Sequence, residues 1–263
     1  MLRFAVLAVA AAALWLTPGP TRAQTEVDLA LVLAVDVSNS MDPEEQDLQR
    51  QGFVAAFRSP LVHEAIRSGT LGRISVTYLE WASTSHQYVV MPWTLIEDPE
   101  GATAFAERLA AAQIRRAPRT SVSGAIDFGM RMLEQSAVEA LRQVIDVSGD
   151  GANNQGRSVT LARGEAVAKG ITINGLPIML KRPTSYWDVE QLDIYYRDCV
   201  IGGPVAFMIP IRDRSQFAEA IKTKIIREIA DFRAPHPLVH RAQIEPRAGC
   251  LAGENPMWER WRN

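Results

Sequence analysis

The sequence predicts an α/β fold, with a doubly wound, mostly parallel central sheet, helices on both faces and one antiparallel edge strand. Three observations carry this. Residues 28–35 (DLALVLAV) form an unbroken apolar run, as in a strand buried on both faces. Runs of this kind alternate with amphipathic segments along the chain, which is the order of strand-helix-strand units. Two neighbouring strand-like runs are separated only by a short polar turn, the mark of a hairpin and so of an antiparallel edge.

The elements follow in order. After the first strand, Asp42-Pro43-Glu44-Glu45 supplies a capping acid, a proline for the first helical position and a glutamate three residues beyond the cap. A helix starts there, with Leu48, Gly52 and Ala56 on the face toward the sheet and Phe53 and Phe57 beside them. Residues 73–81 (RISVTYLEW) and 87–95 form the hairpin. Asp98-Pro99 opens a helix to residue 113, and residues 120–135 form another, with Val122, Ile126, Met130 and Leu133 on one face. Residues 143–148 are a buried strand, 158–169 a helix ended by Gly170, and 171–180 a strand. Residues 188–199 form a short helix and 205–211 the last strand. A long helix over 215–232 presents Phe217, Ile221, Ile225, Ile229 and Phe232.

The ends of the chain differ in character from the body. Met1-Leu2-Arg3, the apolar run 4–16 and the small-x-small site Thr21-Arg22-Ala23 read as a signal peptide over 1–23, so the mature chain is exported, to the periplasm or beyond the cell. The apolar run falls short of the roughly 20 residues of a membrane span, and no later stretch approaches it, so no transmembrane segment is expected after its removal. Residues 24–233 then make one domain, and 234–263, rich in Pro, Arg, Gly and Trp without periodicity, an irregular tail. Trp258 and Trp261, with Arg260 and Arg262, either dock on another surface or fold back over the body. The net charge of −2, without a basic block, argues against nucleic acid as a partner. Cys199 and Cys250 are the only cysteines; their even count and an oxidising compartment favour a bridge, the alternative being two thiols.

Two polar clusters fall at strand ends, where open α/β sheets collect their ligand-binding loops: residues 36–40 (DVSNS) and 148–151 (SGDG). Asp36, Ser38 and Ser40 alternate, so an extended loop points them the same way and offers one carboxylate and two hydroxyls. Such hard oxygen donors suit Mg²⁺, Mn²⁺ or Ca²⁺ and suit zinc or copper poorly. Read blandly, the same residues are turns and caps, Thr120 or Ser121 caps the following helix, and Asp150-Gly151 is a turn.

The DVSNS spacing after a buried strand resembles the metal-ion-dependent adhesion site of the von Willebrand factor type A family, whose pattern is Asp-x-Ser-x-Ser. That family adds a Thr from a second loop and an Asp from a third, and Thr120 in RTSVSGAI and Asp150 in SGDG stand at matching places. The chain is also similar to a group of exported bacterial proteins in which segments like VIDVSGDG and DCVIGGP recur. The resemblance implies that Ser38, Ser40 and Thr120 coordinate a cation directly, that Asp36 and Asp150 hold its charge partly through water, and that an acidic group of a partner protein completes the shell. One departure is Ser-Gly before Asp150, where the family usually has a Thr next to the Asp.

Catalytic signals are weak. His63, His86, His236 and His240 are scattered, and no nucleophile elbow, phosphate loop or dinucleotide fingerprint occurs. Glu80-Trp81 at a strand end fits buried pairing as well as catalysis. The expectation is a cation-dependent protein-binding module and not an enzyme. The alternatives are a metal-dependent hydrolase using the same cation, or a metal-free scaffold.

Overall fold

The structure is a computed structural model, and it describes residues 24–181, 189–230, 247–251 and 254. The expected signal peptide, most of the expected tail with Trp258 and Trp261, and His236, His240 and Phe232 lie outside the described residues. Among those described, no helix is long and apolar enough to cross a membrane.

A five-stranded sheet has the order β3-β2-β1-β4-β5, with β1 (Thr25–Asp36) at its centre. β2 (Ile74–Trp81) and β4 (Val138–Gly149) flank β1 in parallel, and β5 (Thr172–Pro177) extends the sheet in parallel beside β4. β3 (Gln87–Ile96) is the expected antiparallel edge. Side chains alternate across a strand, so β1 feeds two cores. Leu29, Leu31, Leu33 and Val35 face α1 (Pro43–Phe57), α2 (Pro60–Arg67), α3 (Pro99–Ala111) and α7 (Phe217–Ile229). Ala30, Val32 and Ala34 face α4 (Val122–Glu134), α5 (Val159–Ala168) and α6 (Leu192–Tyr195), which passes into a π-helical turn over Tyr196–Val200.

Local chemistry sets the boundaries. The capping box at α1 forms as expected: Glu45 N donates to Asp42 Oδ1 and Asp42 N to Glu45 Oε2, both at 2.8 Å. That backbone bond is the main reason the Asp42 carboxyl lies below the usual range. Gly52 lets α1 lie against α7, because a Cβ there would stand 2.5 Å from Ile221 Cδ1.

Three expectations need correction. Helix α2 is missing from the sequence reading, although Ser59-Pro60 provides its cap and first position. β4 begins at Val138, before its continuous apolar stretch, because its first half is only partly covered. Residues 205–211 do not form a strand but make isolated parallel bridges beside β5, Gly175 to Met208 and Ile178 to Ile211. Gly175 N donates to Phe207 O and Ile211 N to Pro177 O. The bond between these positions would need an N–H on residue 177, and Pro177 has none.

Candidate metal centre

Asp36 is the last residue of β1, fully buried, and its Oδ1 accepts the backbone N–H of Ser38 at 2.7 Å. Ser38 Oγ and Ser40 Oγ are 2.8 Å apart, and Ser40 Oγ donates to Asp150 Oδ1 at 2.6 Å. The parallel pairing of β1 with β4 delivers both loops to one edge of the sheet. Four of the five predicted residues thus form one hydrogen-bonded chain across two loops. Thr120 precedes α4 and faces Gly151, where a Cβ would stand 3.7 Å from Thr120 Oγ1. Its backbone is clamped by Asn154: Thr120 N donates to Asn154 Oδ1 at 2.9 Å and Asn154 N to Thr120 O at 2.8 Å. Ser121, not Thr120, caps α4, accepting from Gly124 N at 3.1 Å.

The electrostatics are those of negative charge with too little compensation. Burial, and then the charge of Asp150, push the Asp36 carboxyl well above the usual range. Burial likewise raises Asp150 to about 6, against the hydrogen bond from Ser40. Asp36 Oδ2 is buried and accepts no hydrogen bond, although buried polar atoms are nearly always paired. Among the described residues, no group of three or more His, Cys, Asp or Glu gathers to hold a metal. A cation held here therefore draws on hydroxyl oxygens plus two carboxylates, and this oxygen-only donor set, with an orphaned carboxylate oxygen, fits a hard divalent ion.

The departure at Gly149 has a steric reason. A Cβ at that position would lie 2.7 Å from Asp36 Oδ2 and 3.1 Å from Tyr196 Oη, so a threonine cannot stand there without moving the carboxylate. Tyr196 is fully buried in the π-helical turn, and burial raises its hydroxyl pKa ahead of the nearby Asp36 charge. The loop after Asp150 is tied down by Asn153, whose N donates to Tyr195 Oη at 3.1 Å and whose Oδ1 accepts from Ser123 N at 3.0 Å. Asn153 Nδ2 donates to Glu254 Oε1 at 3.0 Å. The Cys199–Cys250 disulfide forms and holds that terminal segment against the π-helical turn.

Sequence reasoning missed Tyr196, Asn153 and Asn154, although the asparagine pair stands only three and four residues after Asp150. It also missed two cations at the rim. Lys181 Nζ donates to Ser40 O and to the buried Glu45, and Arg116 Nη2 donates to Met41 O at 2.8 Å. Glu80 is a buried ion-pair partner of Arg50, as the structural reading of Glu80-Trp81 expects. His86 bonds Ser83 within the β2–β3 turn, and His63 bonds Phe57 O.

The family model described as Protein of unknown function (DUF1194) matches residues 26–233. No curated protein matches this chain. Among solved structures, proximal thread matrix protein 1 from the mussel byssus aligns with TM-score 0.55 at 12% identity, over 79% of this chain and 49% of that one. A von Willebrand factor type A protein from Catenulispora acidiphila aligns with TM-score 0.53 at 13% identity, over 77% and 43%. The mussel protein described with a zinc-occupied MIDAS motif aligns with TM-score 0.51 at 10% identity, over 76% and 46%. This chain spans less than half the length of each. At these identities the likeness establishes the fold, which is that of von Willebrand factor type A domains.

Proposed function

This chain belongs to the DUF1194 family, and we propose that it is an exported, cation-dependent protein-binding module. Asp36, Ser38, Ser40, Thr120 and Asp150 hold a divalent ion, with Mg²⁺ preferred and Mn²⁺ or Ca²⁺ as substitutes, and an acidic group of a partner protein completes the coordination shell. The single observation that carries this is the buried, unpaired Asp36 Oδ2 at the end of a chain of serine hydroxyls leading to Asp150. The zinc-occupied site described for the mussel protein supports the same reading.

The residues divide the work. Asp36 is fixed by the Ser38 backbone N–H and Asp150 by the Ser40 hydroxyl, so both carboxylates are aimed before an ion arrives. Ser38, Ser40 and Thr120 add neutral oxygens, which leave the ion's charge incompletely neutralised. When bound, the ion supplies an open position that attracts a carboxylate. Export is supported by the amino-terminal signal pattern and by the disulfide, which persists in an oxidising compartment.

Isothermal titration of chelator-treated protein with Mg²⁺, Mn²⁺, Ca²⁺ and Zn²⁺, beside Asp36→Ala, tests the assignment. Saturable binding that disappears in the variant is expected. Equal binding by both proteins, or none by the parent, overturns it. Because protons compete for Asp36 and Asp150, affinity is expected to fall as the pH drops through about 6.

A further inference from the structure

Two buried oxygens beside the metal centre lack hydrogen-bond partners, and both border the same point. Asp36 Oδ2 accepts from no donor, and the hydroxyl of the fully buried Tyr196 neither donates nor accepts. A Cβ on Gly149 would stand 2.7 Å from the first and 3.1 Å from the second, so the oxygens are no farther apart than those distances together. Apart from its chain neighbours, the three atoms nearest that point all belong to Asp36 and Tyr196. One oxygen is an acceptor and the other can donate. A second glycine seats the ring, because a Cβ on Gly175 of β5 would lie 2.7 Å from Tyr196 Cδ1. Neither glycine has a positive φ, so the backbone does not call for glycine at either place. What the two positions share is Tyr196, with its ring against β5 and its hydroxyl at the end of β4.

We propose that Tyr196 is a positioning residue for the cation: its hydroxyl donates to Asp36 Oδ2 and fixes that carboxylate when the ion binds. The inference rests on the cation-site reading above. Asp36 is otherwise held through one oxygen only, Oδ1, by the backbone N–H of Ser38. Groups that hydrogen-bond a metal's ligands set the orientation of those ligands, and they matter to affinity nearly as much as the ligands do. The ring of Tyr196 accounts for the packing against Gly175, and a phenylalanine would supply that equally. The hydroxyl is the part that needs a partner, since a buried donor left unpaired costs stability. Tyr196 is also held from behind. It opens the π-helical turn, where Ile201 N donates to Tyr196 O at 2.9 Å, and Cys199 in the same turn is bridged to Cys250. Single π turns of this kind are frequent at functional sites. The adjacent Tyr195 is the contrast, because its hydroxyl already has a partner in Asn153 N at 3.1 Å.

The test uses the chain as exported, with its disulfide intact and stripped by chelator, beside Tyr196→Phe, Tyr195→Phe and Asp36→Ala. Tyr196→Phe keeps the ring and removes only the hydroxyl. In calorimetric titration its Mg²⁺ affinity is expected to fall roughly ten- to a hundredfold. Its urea midpoint in EDTA should stay level or rise, because a buried unpaired hydroxyl is gone. Tyr195→Phe, which strips the Asn153 N–H of its acceptor, should lower that midpoint instead. Mg²⁺ should also shift the tyrosine absorption band of the parent and of Tyr195→Phe, and not that of Tyr196→Phe. Unchanged Mg²⁺ affinity in Tyr196→Phe overturns the proposal and leaves the hydroxyl a packing group. A parent whose tyrosine band does not move with saturating Mg²⁺ overturns it too, and that reading needs no variant to fold. If Asp36→Ala abolishes binding while Tyr196→Phe binds as the parent does, the cation reading stands and the role of Tyr196 falls. If the parent binds no Mg²⁺, or Asp36→Ala binds it equally well, the cation reading fails and this inference with it.

Discussion

Strand β4 carries Asp146 in its interior and delivers Asp150 just beyond its end, and the two are served in opposite ways. Asp146 is buried with a cation supplied by the fold: Lys224 Nζ of α7 lies 2.7 Å from its Oδ1 and also bonds Glu228. Lys224 is itself fully buried, and its pKa is raised because the charges of Asp146 and Glu228 outweigh the opposing effect of burial. Asp150 shares its surroundings with Asp36 and serine hydroxyls, and the basic side chain that lowers its pKa, Lys181, is exposed and engaged with Glu45. The first cluster has a cation within its own core, whereas the second has none, and its two carboxyls are pushed toward the protonated form. One buried carboxylate pair shares a lysine and the other is lined with hydroxyls, and the proposed cation would supply the positive charge that the second lacks.

The comparison can be broken most forcefully at Lys224. Lys224→Met leaves Asp146 and Glu228 buried together without their cation, and a loss of about 3–5 kcal/mol is expected in urea unfolding. A loss under about 1 kcal/mol would mean that the lysine is not what balances them.

A pH series sharpens it next. Burial, and then Asp146, push Glu228 up to about 7 from the ordinary glutamate value of 4.5, so the folded state keeps a proton that the unfolded chain releases. Its contribution is complete below pH 4.5 and is lost as the pH rises to about 7. Glu228→Gln should therefore flatten the decline of stability over that window, by up to about 3 kcal/mol, in denaturation curves taken beside the parent. Parallel curves for the two proteins would reject this assignment.

The smallest effect lies at the other cluster. Asp150→Asn keeps an acceptor for Ser40 and removes one of two crowded charges, so in EDTA at neutral pH the variant should gain about 1 kcal/mol. The parent should gain about 2.7 kcal/mol from an ion at a hundred times its dissociation constant, and the variant far less. If Asp150→Asn destabilises the chelated protein as Lys224→Met does, the two clusters are alike and the contrast fails.

Much of this was legible in the sequence, and the exceptions share a cause. The β1 run, the Asp42 capping box and the Asp-x-Ser-x-Ser spacing are local signals, and each appears where expected. The face of α7 given by Phe217, Ile221, Ile225 and Ile229 was visible, but nothing local marks Lys224 beside it as buried until Asp146, far away in the chain, is set against it. The same holds for Glu80 and Arg50. The sixth strand failed for a local reason that was available, the missing donor at Pro177.

The bridge between Cys199 and Cys250 closes a ring with a sequence separation of 51, and α7 lies wholly inside it. An unfolded chain so closed has far fewer arrangements, worth about 4 kcal/mol of stability in the chain-entropy picture. That sum is comparable to the loss expected for Lys224→Met, yet it arises in the state that has no structure. The helix that carries Lys224 is thus confined to a closed ring before it folds, while β4 with Asp146 lies outside that ring and must find the helix by search in either redox state.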